Sequence, residues 1–149
     1  MNWTIKSFDT LNTTELYKIL QIRNEVFIVE QNCPYQDLDN KDFKSLHLWQ
    51  QDPEGNITAY CRLLPKGISY NEPSIGRVLT SLNNRKEGLG RKMMEFVIDY
   101  ISDEWKSTQI RISAQLYLKE FYTSLGFHQI GSSYLEDDIP HIQMLKGSE

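Results

Sequence analysis

Apolar and polar residues alternate over residues 3–7, the period of a half-buried strand. The spacing then lengthens to that of a helix. Leu16, Ile19, Leu20, Val26 and Phe27 form an apolar stripe, and Asn12-Thr13-Thr14-Glu15 ahead of them reads as a capping box. Asn12 is the N-cap, Glu15 reaches back, and Leu11 packs on Leu16. The stripe predicts a helix to about Phe27, broken only by Arg23, which is either a paired charge or a side chain that snorkels to water. From 30 to 43 the composition turns polar around Pro34, Asp37, Asp39, Asn40 and Asp42, which predicts a functional loop rather than regular structure.

Strand-like runs return at 46–50 and 57–64, and Asp52-Pro53-Glu54-Gly55-Asn56 between them supplies the turn of an antiparallel hairpin. A strand at 75–79 leads through a turn-rich stretch at 80–87 into a helix at 88–101, with Leu89, Met93, Phe96, Val97, Tyr100 and Ile101 on its apolar face. Next come a strand at 109–113 and a short helix at 116–125. Gly126 fits the left-handed residue that ends such a helix, and Phe127 is placed to fold back on Tyr122. Strands at 129–135 and 142–145 close the chain.

The order β-α-β-β-β-α-β-α-β-β predicts an α/β (mixed α+β) fold, a central mixed sheet flanked by helices. A chain of 149 residues suits one domain, 1–149. Strand, turn, helix and strand over 75–113 form a βαβ unit, whose first turn is where a ligand phosphate belongs.

Composition narrows the function. The apolar run at 26–29 is far below the roughly 20 residues of a membrane span, and the first ten residues lack the layout of a signal peptide, so a cytoplasmic location is expected. Cys33 and Cys61 have no C-x-x-C or paired histidines near them, which predicts reduced thiols and no metal site. A formal net charge of −4 argues against nucleic acid as the main partner. The basic patch is local: Arg85, Lys86, Arg91 and Lys92 lie beside Gly88 and Gly90.

A helix start offers unpaired amides and partial positive charge, and glycines let the backbone approach an anion. Gly88 and Gly90 therefore make either a diphosphate cradle or a structural left-handed turn; the preceding strand, the amphipathic helix and the flanking cations favour the cradle. A dinucleotide fingerprint would need a third glycine where Met93 stands, and a Walker loop would need Gly-Lys-Ser/Thr. The R-x-x-G-x-G pattern of Arg85, Gly88 and Gly90 resembles the coenzyme A loop of the GNAT N-acetyltransferases. Phe121-Tyr122-Thr123-Ser124-Leu125-Gly126-Phe127 resembles that family's F-Y-x-x-L-G-F segment. The likeness to the ElaA-like branch extends through 26–39, 72–78, 112–115 and 134–144, with Lys86 and Asp138 standing where glycine is the pattern.

The resemblance implies acyl transfer from acetyl-CoA to a small-molecule or peptide amine by direct attack, without metal, nucleic acid or membrane, in a monomer or homodimer. It implies that Arg85, Lys86, Gly88, Gly90 and Arg91 seat the diphosphate. Val78 and Leu79, on a strand splayed from the one ending near Ser113, hold the pantetheine arm. Tyr122 corresponds to the general acid, although the residues alone favour it as a packing partner of Phe127. The base stays open among Glu30, Asp37, Asp39, Glu72, His47 and His141. A non-catalytic acyl-CoA sensor and a nucleotide-dependent transferase are the competing expectations.

Overall fold

The computed structural model describes residues 2–147, except the side chains of Lys86 and Glu87. Among these residues the elements follow the predicted order: β1 (Thr4–Ser7), α1 (Thr13–Arg23), β2 (Leu46–Gln51), β3 (Ile57–Leu64), β4 (Ser74–Thr80), α2 (Leu89–Glu104), β5 (Ile110–Gln115), α3 (Lys119–Thr123), β6 (Phe127–Glu136) and β7 (Ile139–Lys146). The capping box forms, with Glu15 N–H donating to Asn12 Oδ1 at 2.8 Å and Asn12 N–H to Glu15 Oε1 at 2.9 Å. Helical winding does not stop near Phe27. It continues as a wider π-helical turn over Asn24–Glu30, carrying Val26 and Phe27 into the interior.

The strands form two antiparallel sheets, ordered β1-β2-β3-β4 and β5-β7-β6. The central sheet read from the element order is divided between β4 and β5. A backbone bond from Arg111 N–H to the Pro73 carbonyl, at 3.0 Å, ties the two strands at their beginnings. Farther along, β4 bulges. Tyr60 pairs with Leu79 and Arg62 with Gly76, so Cys61 of β3 faces two residues of β4, and one of them, Arg77, has a left-handed φ of 51°. A bulge bends its strand out of register, which turns β4 away from β5 and opens a gap.

One core spans both sheets. Leu89, Met93, Met94, Val97 and Ile101 of α2 pack over Cys61 and Leu63 of β3, Ile112 and Ala114 of β5, and Ile142 and Met144 of β7. A second cluster covers the opposite face of the first sheet, where Ile19, Ile22, Val26 and Phe27 meet Trp49, Tyr60 and Leu79. The reversal from β6 to β7 needs positive φ at both Asp137 (52°) and Asp138 (63°), as in a two-residue hairpin turn. Aspartate tolerates this better than most residues, which accommodates Asp138 where glycine is the pattern.

Candidate active site

The gap between β4 and β5 is a cleft of about 470 Å³. Gly76 and Val78 line it from β4, Ser113 and Ala114 from β5, Tyr122 from α3 and His141 from β7. The side chain of Leu79 instead joins the cluster under α1, as strand alternation dictates for the neighbour of Val78.

At the end of β4 the chain makes a 3₁₀ turn over Leu82–Glu87, and Gly88, at φ 70°, redirects it into α2. The ladder of α2 begins with Lys92 N–H donating to the Gly88 carbonyl at 3.2 Å, so the amides of Leu89, Gly90 and Arg91 precede it at the helix end. A Cβ on Gly88 would meet no atom within 4 Å; the left-handed backbone, not crowding, is what requires glycine there. A Cβ on Gly90 would sit 3.7 Å from Thr80 Cγ2 and 4.0 Å from Phe121 Cζ, which places the start of α2 against the end of β4 and against α3.

Both arginines around this turn have protein partners. Arg85 donates to the Thr80 carbonyl at 3.2 Å and forms an ion pair with Glu30. Arg91 bonds the Ser124 hydroxyl and lies 5.8 Å over the Phe121 ring. The side chain of Lys86, part of the expected cradle, lies outside the described residues.

Tyr122 packs against its aromatic neighbours and also faces the cleft. Its ring meets Phe127 edge-on at 5.9 Å and Phe121 at 5.1 Å, yet it also borders the cleft. Burial, to 5% exposure, pushes its phenol well above the ordinary range, so it holds its proton.

Partners separate the base candidates. Arg23 is fully buried and donates to Asp37 at 2.9 Å and to Asp42 at 2.7 Å, so it is a paired charge rather than a snorkelling one. Arg62 grips Asp39 at 2.6 and 2.8 Å and reaches Asp42 at 3.0 Å, while Arg77 bonds Asp37 at 2.7 Å. This network pins the polar loop to β3 and β4. Burial pulls the carboxyls of Asp39 and Asp42 upward, but bonds and charge from Arg62 and Arg23 outweigh it and hold both below the usual range. Tyr35, bonded to Asp37 at 3.2 Å, is raised to about 12, chiefly by burial.

Glu72 makes two bonds to Arg111, at 2.9 and 3.1 Å, and Glu30 is committed to Arg85. His47 is sealed in the interior, accepting from the Tyr60 hydroxyl at 2.7 Å and donating to the Asp42 carbonyl at 3.0 Å; burial lowers its pKa. His141 stands in the cleft, with Nδ1 2.7 Å from the Ile139 carbonyl and Nε2 3.5 Å from Glu136.

Arg62, Arg77, Ser113, Tyr134 and Glu136 were not singled out as site residues by sequence. Arg62 carried a usable signal, a charge inside the otherwise apolar run at 57–64. Among the described residues, no group of three or more His, Cys, Asp or Glu side chains is arranged to hold a metal ion. None of the helices is long and apolar enough to cross a membrane, again among the described residues.

A split sheet, a glycine-led helix start at the split and a buried tyrosine facing it thus lie together in one mixed α/β fold. The sequence matches the acetyltransferase (GNAT) domain family over residues 14–147, and the chain belongs to that family. It is similar to Protein ElaA of Escherichia coli, with 35% identity over 98% of this chain and 96% of that protein. The crystal structure of Escherichia coli ElaA superposes with a TM-score of 0.90, covering 98% of this chain and 99% of the other. An acyl-CoA N-acyltransferase from Pseudomonas aeruginosa is 40% identical, with a TM-score of 0.92 over 98% of this chain and 99% of that one.

Proposed function

We propose that this protein, as a single domain over 1–149, transfers the acetyl group of acetyl-CoA to a primary amine by direct attack, without a covalent enzyme intermediate. The observation that carries the reading is the meeting of three features. Val78 and Tyr122 border one cleft, the end of β4 abuts the start of α2, and Gly88 presents the amides there without a Cβ in front of them.

The amides of Leu89, Gly90 and Arg91 would receive the diphosphate, with Arg85, Lys86 and Arg91 adding charge once the two arginines exchange their protein partners for phosphate oxygens. Backbone groups at Val78 and Leu79, beside the bulge, would hold the pantetheine arm. Tyr122 keeps its proton until charge develops on sulfur. As the C–S bond breaks it hydrogen-bonds the sulfur and passes it the proton. A cytoplasmic location is part of this reading.

Mass spectrometry of acetyl-CoA incubated with polyamines, amino acids, aminoglycosides and lysine peptides, with and without the protein, tests the reaction. An acetylated amine formed only with protein is the expected result; coenzyme A binding without any product would instead identify an acyl-CoA sensor. In the same assay Tyr122→Phe should lower turnover about 100-fold or more, and full turnover with chemistry rate-limiting would remove the acid assignment.

A further inference from the structure

An amine that arrives as ammonium must lose a proton before its nitrogen can attack. On β7, Ile142 and Met144 turn into the core beside Tyr122, so His141 projects from the opposite face of the second sheet, in register with Gln115 of β5 and Tyr134 of β6. A carbonyl oxygen only accepts, so the 2.7 Å contact with Ile139 places a proton on Nδ1, and Nε2, 3.5 Å from Glu136 Oε2, is the ring nitrogen left to exchange one. That separation is too long for a direct hydrogen bond.

The Tyr134 ring stacks on the imidazole at 6.3 Å, its hydroxyl meets Ser113 Oγ at 2.6 Å, and Ser113 Oγ donates to Glu136 Oε1 at 3.3 Å. Burial raises the phenols of Tyr70 and Tyr134, so the neighbouring tyrosines stay neutral. Gln115 is uncharged, and Asp137 at the adjoining turn also borders the cleft. The Glu136 side chain, 48% exposed, is open to an incoming cation.

We propose that His141 is the general base of the acetyl transfer, and that Glu136 holds the incoming ammonium against its Nε2. The proposal rests on the acetyltransferase reading above. The ammonium passes a proton to Nε2, its lone pair forms the C–N bond, and the C–S bond breaks with its electrons on sulfur. In becoming an amide the nitrogen sheds two protons. One is balanced by the proton that Tyr122 gives to sulfur and regains from solvent; the other leaves through His141, whose imidazolium Glu136 stabilises.

His141→Gln keeps an N–H for the Ile139 carbonyl while removing the base. The test compares n-propylamine, protonated at neutral pH, with hydroxylamine, which is uncharged there. The variant should lose about 10²–10⁴-fold in kcat/KM on propylamine, stay within a few-fold of wild type on hydroxylamine, and bind coenzyme A with unchanged affinity by calorimetry. Equal losses on both amines, or none on propylamine, overturn the base. If wild type binds coenzyme A but acetylates neither these amines nor any of the panel above, the acetyltransferase reading fails and the base with it. Should His141→Gln bind no coenzyme A, Glu136→Gln carries the test: KM for propylamine rises about tenfold or more with hydroxylamine unaffected, and an unchanged KM overturns the proposal.

Discussion

Two acidic regions border the same cleft with opposite electrostatic surroundings. In the loop before β2, Asp37, Asp39 and Asp42 are each held by arginine, and Arg23 and Arg62 among those arginines are themselves buried. At the β6–β7 reversal Glu136 meets a serine hydroxyl and, at a longer distance, an imidazole. Both stretches read alike in sequence, as clustered carboxylates next to turns. The first spends its charge on holding a loop in place; the second keeps a carboxylate and a ring nitrogen in reach of a ligand. The density of acidic residues therefore says little about chemistry until their partners are known.

The contrast is broken most severely at Arg23. Arg23→Met leaves Asp37 and Asp42 facing the interior without one of their cations, and urea denaturation should show a loss of about 3–5 kcal/mol. Asp39→Asn is milder: it removes the charge from a two-bond grip on Arg62, with an expected cost of about 1–3 kcal/mol, while coenzyme A affinity is retained. Glu136→Gln should shift the denaturation midpoint least, by less than about 0.5 kcal/mol, because its side chain is half-exposed. A large loss there would mean that the reversal is a structural lock like the first region.

Acid should separate the regions as well. Asp39 and Asp42 have depressed folded pKa values, so their contribution is fully present above the ordinary carboxylate range and is lost as pH falls below about 4. The lowered pKa of His47 acts in the same direction but earlier: the unfolded chain takes up its proton near about 6.5 while the folded chain resists, so stability starts to decline as pH drops through that value. Thermal denaturation across pH should therefore fall in two stages, and His47→Gln should abolish the upper one alone.

Much of the architecture was legible because it depends on neighbours in sequence. The capping box at Asn12 and Glu15, the hairpin turn at 52–56 and the left-handed Gly126 followed by a Phe127 contact with Tyr122 all formed as read. The Arg85-to-Gly90 turn opened a helix as expected. The π-helical continuation past Phe27 was not legible, since the apolar stripe simply fades there and the wider winding answers to packing against β3 and β4.

The choice among six base candidates was illegible for a related reason. A carboxylate or imidazole has the same local sequence whether an arginine from another strand neutralises it, the core seals it or a cleft exposes it. By itself the chain determined the order of its elements, its helix ends and its glycine-led turn, all of which arise from short-range backbone geometry and hydrophobic period. Tertiary structure alone decided where β4 leaves β5, which charges cancel and which histidine faces the cleft. Those outcomes depend on strand register and on contacts spanning 14 to 40 residues of chain, as between Arg23 and Asp37 or Arg77 and Asp37.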